Sequence, residues 1–407
     1  MTNHVTSTIM TEQEAIDYAR EKLHYFDEAA SLSCKEIGDG NLNYVFRVID
    51  DKTGQSLIIK QAGPVARISD EFIVSPDRNR IETDILRLQG TLAPGYVPEV
   101  YHYDAEKNCV VMEDLSDYTI LRAAFLKHET YPKLAEHLST FLVETLVSTS
   151  DLVLNHKEKK ELVKSFTNPE LCEITEDLVY TEPFYAHPRN DVFLGTRHFV
   201  EREIWGDKIL ALETAKLKFQ FLTNAQALLH GDLHTGSIFV TQDATKIIDP
   251  EFAFYGPAGY DVGTIIANLI FAYVNAEHTS EGPSERESFQ AYITTTIETL
   301  IDSFKTKFIQ AFEAKATEHV ARYDGFLEHY LQSVLEDATA VAGLELCRRI
   351  IGIAKVADIT SIANTEARTK AEITCLTLGK AFILDRAKYQ TGTDITNALK
   401  GATHVTH

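Results

Sequence analysis

HGDLHTGSIFVTQDATKIIDPEFAFYGPAGYD, residues 230–261, is the stretch from which the rest of the chain can be read. Ser237 to Val240 is short and β-prone, Thr241 to Thr245 is polar and turn-like, and Lys246 to Asp249 returns as KIID. Folded as a hairpin, the segment sets Asp249 roughly opposite Ser237, at the same end as Asp232. Glu251 follows beyond Pro250, which interrupts the ladder. Asp232 and Asp249, two carboxylates far apart in sequence, thereby share one rim. A lone Asp in a turn is usually a cap or turn former; three acids around one hairpin, behind a His-Gly-Asp, point to chemistry. The pattern suits phosphoryl transfer, which needs one carboxylate to position and deprotonate an acceptor hydroxyl and others to hold Mg²⁺ against phosphates. Asp232 fits the first role, Asp249 and Glu251 the second.

The chain has 407 residues, 44% of them hydrophobic, enough for a sizeable core in a bilobal enzyme. A net charge of −21 argues against nucleic acid and anionic membrane surfaces as partners, so a nucleotide site has to be a locally basic pocket. The five cysteines (Cys34, Cys109, Cys172, Cys347, Cys375) form no C-x-x-C pair and are odd in number. That disfavours a disulfide framework or zinc site and points to a reducing cytoplasm. No secretory signal is evident at the N-terminus, and the apolar run near Val262 to Val274 is too short to span a bilayer.

Thr11 to Glu14 is a capping box predicting a helix to about Tyr25. β-prone segments follow over Leu32–Asp50 and Leu57–Gly63, with turns at Gly38-Asp39-Gly40 and Asp50 to Gly54. A helix is expected over Pro76–Leu88 and strands over Val97–Tyr103 and Cys109–Met112. The remainder reads as helices: Tyr131–Ser150, Lys157–Asp177, Trp205–Leu228, Asp261–Ala276, Glu287–Ala316, Thr317–Leu335, Glu336–Ile359 and Thr365–Tyr389. The 230–251 hairpin is the only clear β interruption, and the tail from Thr391 to His407 reads as weakly patterned and frayed. The fold class is α+β with two lobes, a small β-rich N-terminal lobe (1–115) and a large, mainly helical C-terminal lobe (116–407). The change falls at Glu113-Asp114-Leu115-Ser116.

Other residues gain meaning beside the hairpin. Lys60 ends the apolar strand LIIK and needs an anionic partner; Glu82, on the following helix, is a candidate, as in kinases that fix a lysine against the α- and β-phosphates. The alternative is a lysine that snorkels to water. Gly38 to Asn43 (GDGNLN) could bring backbone N–H groups to phosphates, or be an ordinary hairpin turn. Arg348-Arg349, adjacent in an apolar helix, require acceptors, whether a substrate, the hairpin acids or a structural ion pair. His230 and His234 read as struts of the turn, Asp261 as an N-cap or a brace for it. Trp205 and Pro183 to Pro188 read as an aromatic flap or loop packing.

His230-Gly-Asp232, the strand and Asp249 resemble the catalytic core of the protein-kinase-like small-molecule kinases, the aminoglycoside phosphotransferase and choline kinase group. The fuller wording, HGDLHTGSIFV with DPEF, GDGNLNYVF, MEDLS and the Arg pair, resembles the 5-methylthioribose kinase family over about Asn41 to Arg349. One departure from the wider group is informative. Ser237 stands where an Asn usually helps hold the metal, and Asp249-Pro250-Glu251 stands for Asp-Phe-Gly, so Glu251 supplies the coordination Ser237 cannot. The resemblance implies a protein-kinase-like fold and the cofactors ATP and Mg²⁺. It implies that Asn43, Lys60, Glu113, Asp114, Leu115, Asp249, Pro250 and Glu251 bind the nucleotide, the last acid and Asp249 holding the metal. Asp232 would take the proton from the C1 hydroxyl of 5-methylthioribose, with Arg348 and Arg349 on the substrate or the transferring phosphoryl group. It further implies the product 5-methylthioribose 1-phosphate, methionine salvage and a homodimer. Two other readings compete: a related kinase for an aminoglycoside, choline or homoserine, which the Arg pair disfavours for cationic acceptors, and a nucleotide-binding scaffold without catalysis, which the intact acids and lysine disfavour.

Overall fold

The computed structural model describes residues 9–37, 43–63, 75 and 77–405. The turn Gly38-Asp39-Gly40 and the residues Asn41, Leu42 and Pro76 therefore lie outside the described residues. Thr11 caps α1 (Glu12–Glu21) as expected: its hydroxyl accepts from the Glu14 N–H while the Glu14 carboxylate accepts from the Thr11 N–H. The helix stops short of Tyr25. Then come β1 (Leu32–Glu36), β2 (Asn43–Asp50), β3 (Ser56–Ala62), α2 (Arg78–Leu92), β4 (Val100–Asp104) and β5 (Cys109–Met112). The strands form one antiparallel sheet in the order β1-β2-β3-β5-β4.

Alternation along these strands assigns each face its work. Phe46, Val48, Leu57, Ile59, Cys109 and Val111 close a small core against Ala15, Tyr18 and Ala19 of α1. One residue out of phase, Val45, Ile58, Lys60 and Met112 face a large cavity between the sheet and the helical part. Lys60 is the cationic member of that otherwise apolar set, registered between Val45 and Val110.

The helical part runs β6 (Thr119–Ile120), α3 (Leu121–Phe125), α4 (Leu134–Ser148), α5 (His156–Ser165), α6 (Pro169–Leu178), α7 (Arg197–Phe199) with a π-helical turn (Val200–Trp205), and α8 (Lys208–Thr223). It continues with β7 (Ala227–Leu228), β8 (Ile238–Val240), β9 (Thr245–Ile247), β10 (Tyr255–Gly256), α9 (Gly259–Thr279), α10 (Pro283–Lys315), α11 (Phe326–Ile351), α12 (Ala357–Thr360), α13 (Thr365–Leu384) and α14 (Gly392–Val405). α9 is buried from Gly259 to Ala276 and packs against α10, α11 and α13. The contact with α11 is backbone-close: a Cβ at Gly263 would lie 2.2 Å from the Ala338 carbonyl oxygen.

Several expected boundaries move, each for a local reason. Lys157–Asp177 is two helices, because Pro169 pushes Asn168 out of helical geometry. The break is useful: buried Asn168 Nδ2 donates to the carbonyls of Glu251 (2.8 Å) and Ala253 (3.2 Å). Trp205–Leu228 shortens to α8, capped by Asp207, and Ala227-Leu228 pair with β10 instead, so the hairpin is not the only β interruption. The two helices expected over Thr317–Leu335 and Glu336–Ile359 are replaced by a short turn and the continuous α11. Gly325, at φ +81°, breaks the chain there, while nothing at Leu335-Glu336 does. The tail is not frayed. Thr391 and Asp394 cap α14 reciprocally, Ile395 and Leu399 are buried, and the Thr396 hydroxyl donates to Glu298 at 2.6 Å.

Candidate active site

β8 and β9 form the expected hairpin, with Ile238 opposite Ile247 and the Ile248 N–H donating to Ser237 O. Asp249 therefore falls one residue past Ser237. β6 adds a third strand beside β8. Asp249, Glu251 and Asp232 all line one cavity of about 910 Å³, together with Lys60, Glu82, Arg348 and Arg349. The hairpin is tied to the segment before β4 by Ile247 N–H to Tyr96 O and Lys246 Nζ to Val97 O (3.1 Å), and to the end of β5 by Lys246 Nζ to Glu113 (2.9 Å).

The His230-Gly231-Asp232 turn is held from behind. Gly231 adopts φ +85°, and a Cβ there would meet Phe252 O at 2.3 Å, so glycine is required. Asp261 accepts from the His230 N–H (2.7 Å) and the Gly231 N–H (3.0 Å). It braces the turn from the first turn of α9 and is not its N-cap, which is Ala258. His230 donates from Nε2 to Ile248 O (2.9 Å) and accepts at Nδ1 from the Asp232 N–H (3.3 Å), a strut as expected.

Asp232 faces cations. Nη2 of Arg348 and Nη2 of Arg349 each lie 3.6 Å from its Oδ1, and His234 Nε2 lies 3.4 Å from Oδ2. Burial alone would raise this carboxyl, but His234 and the two arginines hold it down at about 2. Burial and the neighbouring Arg122 and Arg349 outweigh Asp232 and push His234 down to about 4, so at neutral pH the arginines carry the effect. Ser237 bonds inward, to His234 Nδ1 (3.2 Å) and Asp232 O (3.3 Å), and does not line the cavity.

Lys60 Nζ donates to Glu82 at 2.8 Å and to Asp249. Although burial opposes it, the surrounding Asp249, Glu82 and Glu251 keep Lys60 protonated. Asp249 sits at φ +66°, a strained conformation for a residue with a side chain. Glu251 accepts from Asn43 Nδ2 (3.0 Å) and lies 3.6 Å from Arg78 Nε; burial and the charge of Asp249 push it up to about 8. Glu113 and Asp114 spend their side chains on the protein, the former on Lys246, the latter on Arg47 (2.6 Å) and Ser56 (2.6 Å). With Leu115 they line the cavity beside the apolar Met112, Phe239 and Ile248. Pro250 is buried between the two acids and does not line it. Trp205 donates to Pro183 O at 3.0 Å, which is loop packing.

Four further residues escaped the sequence reading. Arg78 reaches Asn43 Oδ1 at 3.1 Å as well as Glu251. Arg122, on α3, lines the cavity and lies 3.7 Å from buried Asp358. Glu345 pairs with both Arg348 and Arg349. Only Glu345 left a trace, in its i+3 and i+4 spacing to the arginines. Among the described residues no cluster of three or more His, Cys, Asp or Glu is poised around a metal. A pair of carboxylates completed by phosphates and water fits Mg²⁺, which demands few protein ligands. The high Glu251 value fits as well, since a divalent cation would relieve the repulsion between the two acids.

A family model described as "Phosphotransferase enzyme family" matches residues 33–290, and the chain belongs to that family. Within it, the chain is 45% identical to a methylthioribose kinase of Geobacillus sp. (strain WCH70) over 378 residues, 93% of this chain and 92% of the relative. It is 42% identical to a methylthioribose kinase of Bacillus pumilus (strain SAFR-032), covering 95% of each. Among solved structures, a choline kinase from Cryptosporidium parvum shares the fold at TM-score 0.51 and 15% identity, over 93% of this chain and 98% of that one. The protein-kinase-like two-lobed α+β fold is thus the one expected. No helix among the described residues is long and apolar enough to cross a membrane.

Proposed function

We propose that the protein transfers the γ-phosphoryl group of ATP to the C1 hydroxyl of 5-methylthioribose, giving 5-methylthioribose 1-phosphate and ADP, a step of methionine salvage. The observation that carries the reading is the convergence of Asp232, Lys60 and the Asp249/Glu251 pair on one cavity. Adenine lies against Met112, Phe239 and Ile248, read by the backbone of Glu113 to Leu115. Lys60, oriented by Glu82, meets the α- and β-phosphates, and Asn43 lies beside them. Asp249 and Glu251 would hold Mg²⁺, which when bound would supply charge neutralisation for the transferring phosphoryl group. Asp232 orients the acceptor hydroxyl and takes its proton as the new O–P bond forms. With a carboxyl near 2 it is a weak base, so its main task is positioning, with proton acceptance late in the transfer. Arg348 and Arg349 bind the acceptor and the charge developing on the phosphoryl oxygens. The same reading carries a lobe boundary at 115/116, and, on the family resemblance alone, a cytoplasmic homodimer.

ADP release with Mg-ATP, with and without 5-methylthioribose, tests it in wild-type and Asp232→Ala protein. Turnover should require the thiosugar and fall by about 10²–10⁴-fold in the variant. ATP binding with no stimulation by the thiosugar would redirect the acceptor assignment to the aminoglycoside, choline or homoserine class.

A further inference from the structure

We propose that Glu345 is a positioning residue of the acceptor site, gripping Arg348 and Arg349 along their Nε edges so that the Nη2 atom of each is held facing Asp232 without closing on it. The inference rests on the kinase reading above. Glu345 precedes the arginines by three and four residues on α11. Its Oε2 accepts from Arg348 Nε; its Oε1 accepts from Arg349 Nε at 2.7 Å and from Arg348 Nη2 at 3.2 Å. Glu345 is buried and does not line the cavity, so it acts on an acceptor only through the two guanidinium groups.

What it prevents is as important as what it holds. The two arginines stand 3.6 Å from Asp232 Oδ1, close enough to attract and beyond hydrogen-bond reach. Released, two buried guanidinium groups would turn to the nearest carboxylate and pair with it directly. That carboxylate is Asp232, and the oxygen they would occupy is the one the acceptor hydroxyl needs. A second couple completes the balance. Arg122 is held by Thr235 Oγ1 (3.3 Å) and Asn268 Oδ1 (3.2 Å), with Asp358 at 3.7 Å. Asp232, Glu345 and Asp358 against Arg122, Arg348 and Arg349 have formal charges that cancel. Neutralising Glu345 leaves an unopposed positive charge beside Asp232.

The test compares kinetics of wild-type, Glu345→Gln, Glu345→Asp and Asp337→Asn protein. In Glu345→Gln, kcat should fall about 10²-fold and the acceptor KM should rise, with the ATP KM unchanged. Glu345→Asp, which keeps the charge one methylene short, should recover to within about tenfold of wild type. Asp337→Asn removes another buried acid of the same helix, away from the cavity, and should alter stability without moving kcat. A folded Glu345→Gln protein with kcat within about threefold of wild type overturns the inference, as does an equal loss of ATP binding, which would mark general collapse. If Glu345→Gln does not fold, Glu345→Asp decides: a fall in kcat of about three- to tenfold with the ATP KM unchanged supports the inference, and kcat within about threefold of wild type overturns it. Wild-type protein that turns over no methylthioribose sinks the functional reading and this inference with it; active wild type with an unaffected variant sinks this inference alone.

Discussion

Two acids of α11 show what decides the state of a buried carboxyl. Glu345 is answered by two arginines, which against burial hold it below the usual range. Asp337 accepts one bond from Gln220 (2.7 Å), and its other oxygen has no partner among the described residues. Burial, eased only in part by Gln220 and Arg386 and reinforced by Glu336, lifts it to about 6. An unfolded aspartate releases its proton near 4, so between about pH 4 and 6 the native state binds more protons and stability falls as pH rises. Asp337→Asn should therefore raise stability at pH 8 by up to about 3 kcal/mol and flatten that slope, measured by urea unfolding across pH; an unchanged slope removes the assignment. That Asp232, Asp249, Glu251 and the Lys60–Glu82 pair come together on one cavity was legible, because these residue types have few other reasons to stand in those positions. The residues that answer them were not. Arg78, Arg122 and Asp358 come from elements whose approach is a tertiary fact, and desolvation leaves no mark in a sequence.

Helix crossings set the geometry that those side chains inherit. α9 carries Asp261, which braces the His-Gly-Asp turn, and α11 carries Glu345 and the arginines. The two helices approach through Gly263, where a Cβ would also lie 2.8 Å from Val341 Cβ. Gly263→Ala should force them apart. We expect a loss of about 1–3 kcal/mol in stability, together with a lower kcat in protein that remains folded. Unchanged kcat in the folded variant would show that the crossing does not set the site. At this scale sequence periodicity located nearly every helix and misplaced its ends. The tail was missed because its Thr391/Asp394 cap and its Ile395/Leu399 pair were too short a pattern to weigh. The break before α6 was missed although Asn168-Pro169 announces it.

Taken whole, the molecule lines its large cavity from both the sheet and the helical part, with Lys60 reaching from β3 to Asp249 beyond the hairpin, and the proposed nucleotide would touch both sides. A ligand that touches both sides should stabilise both. At a hundredfold excess over Kd, Mg-ADP contributes about 2.7 kcal/mol and should raise the unfolding midpoint by about 3 °C. Lys60→Met should abolish most of that rise in a thermal-shift measurement; a full rise in the variant would separate Lys60 from the nucleotide. The locally basic pocket expected from the acidic composition is not what the cavity shows: Lys60, Arg122, Arg189, Arg348 and Arg349 line it together with Glu82, Glu113, Asp114, Asp232, Asp249 and Glu251, so its cations are matched by acids.

The left-handed backbone at Asp249 has a consequence for how this gene can change. Any aspartate codon becomes a glycine codon by a single base substitution, and glycine would relax φ +66° at once. A lineage released from the need for a carboxylate there would relax the backbone by that change while leaving buried Lys60 with one acid partner fewer. On the proposed reading, glycine at this position in a descendant sequence would mark a chain that no longer needs the carboxylate.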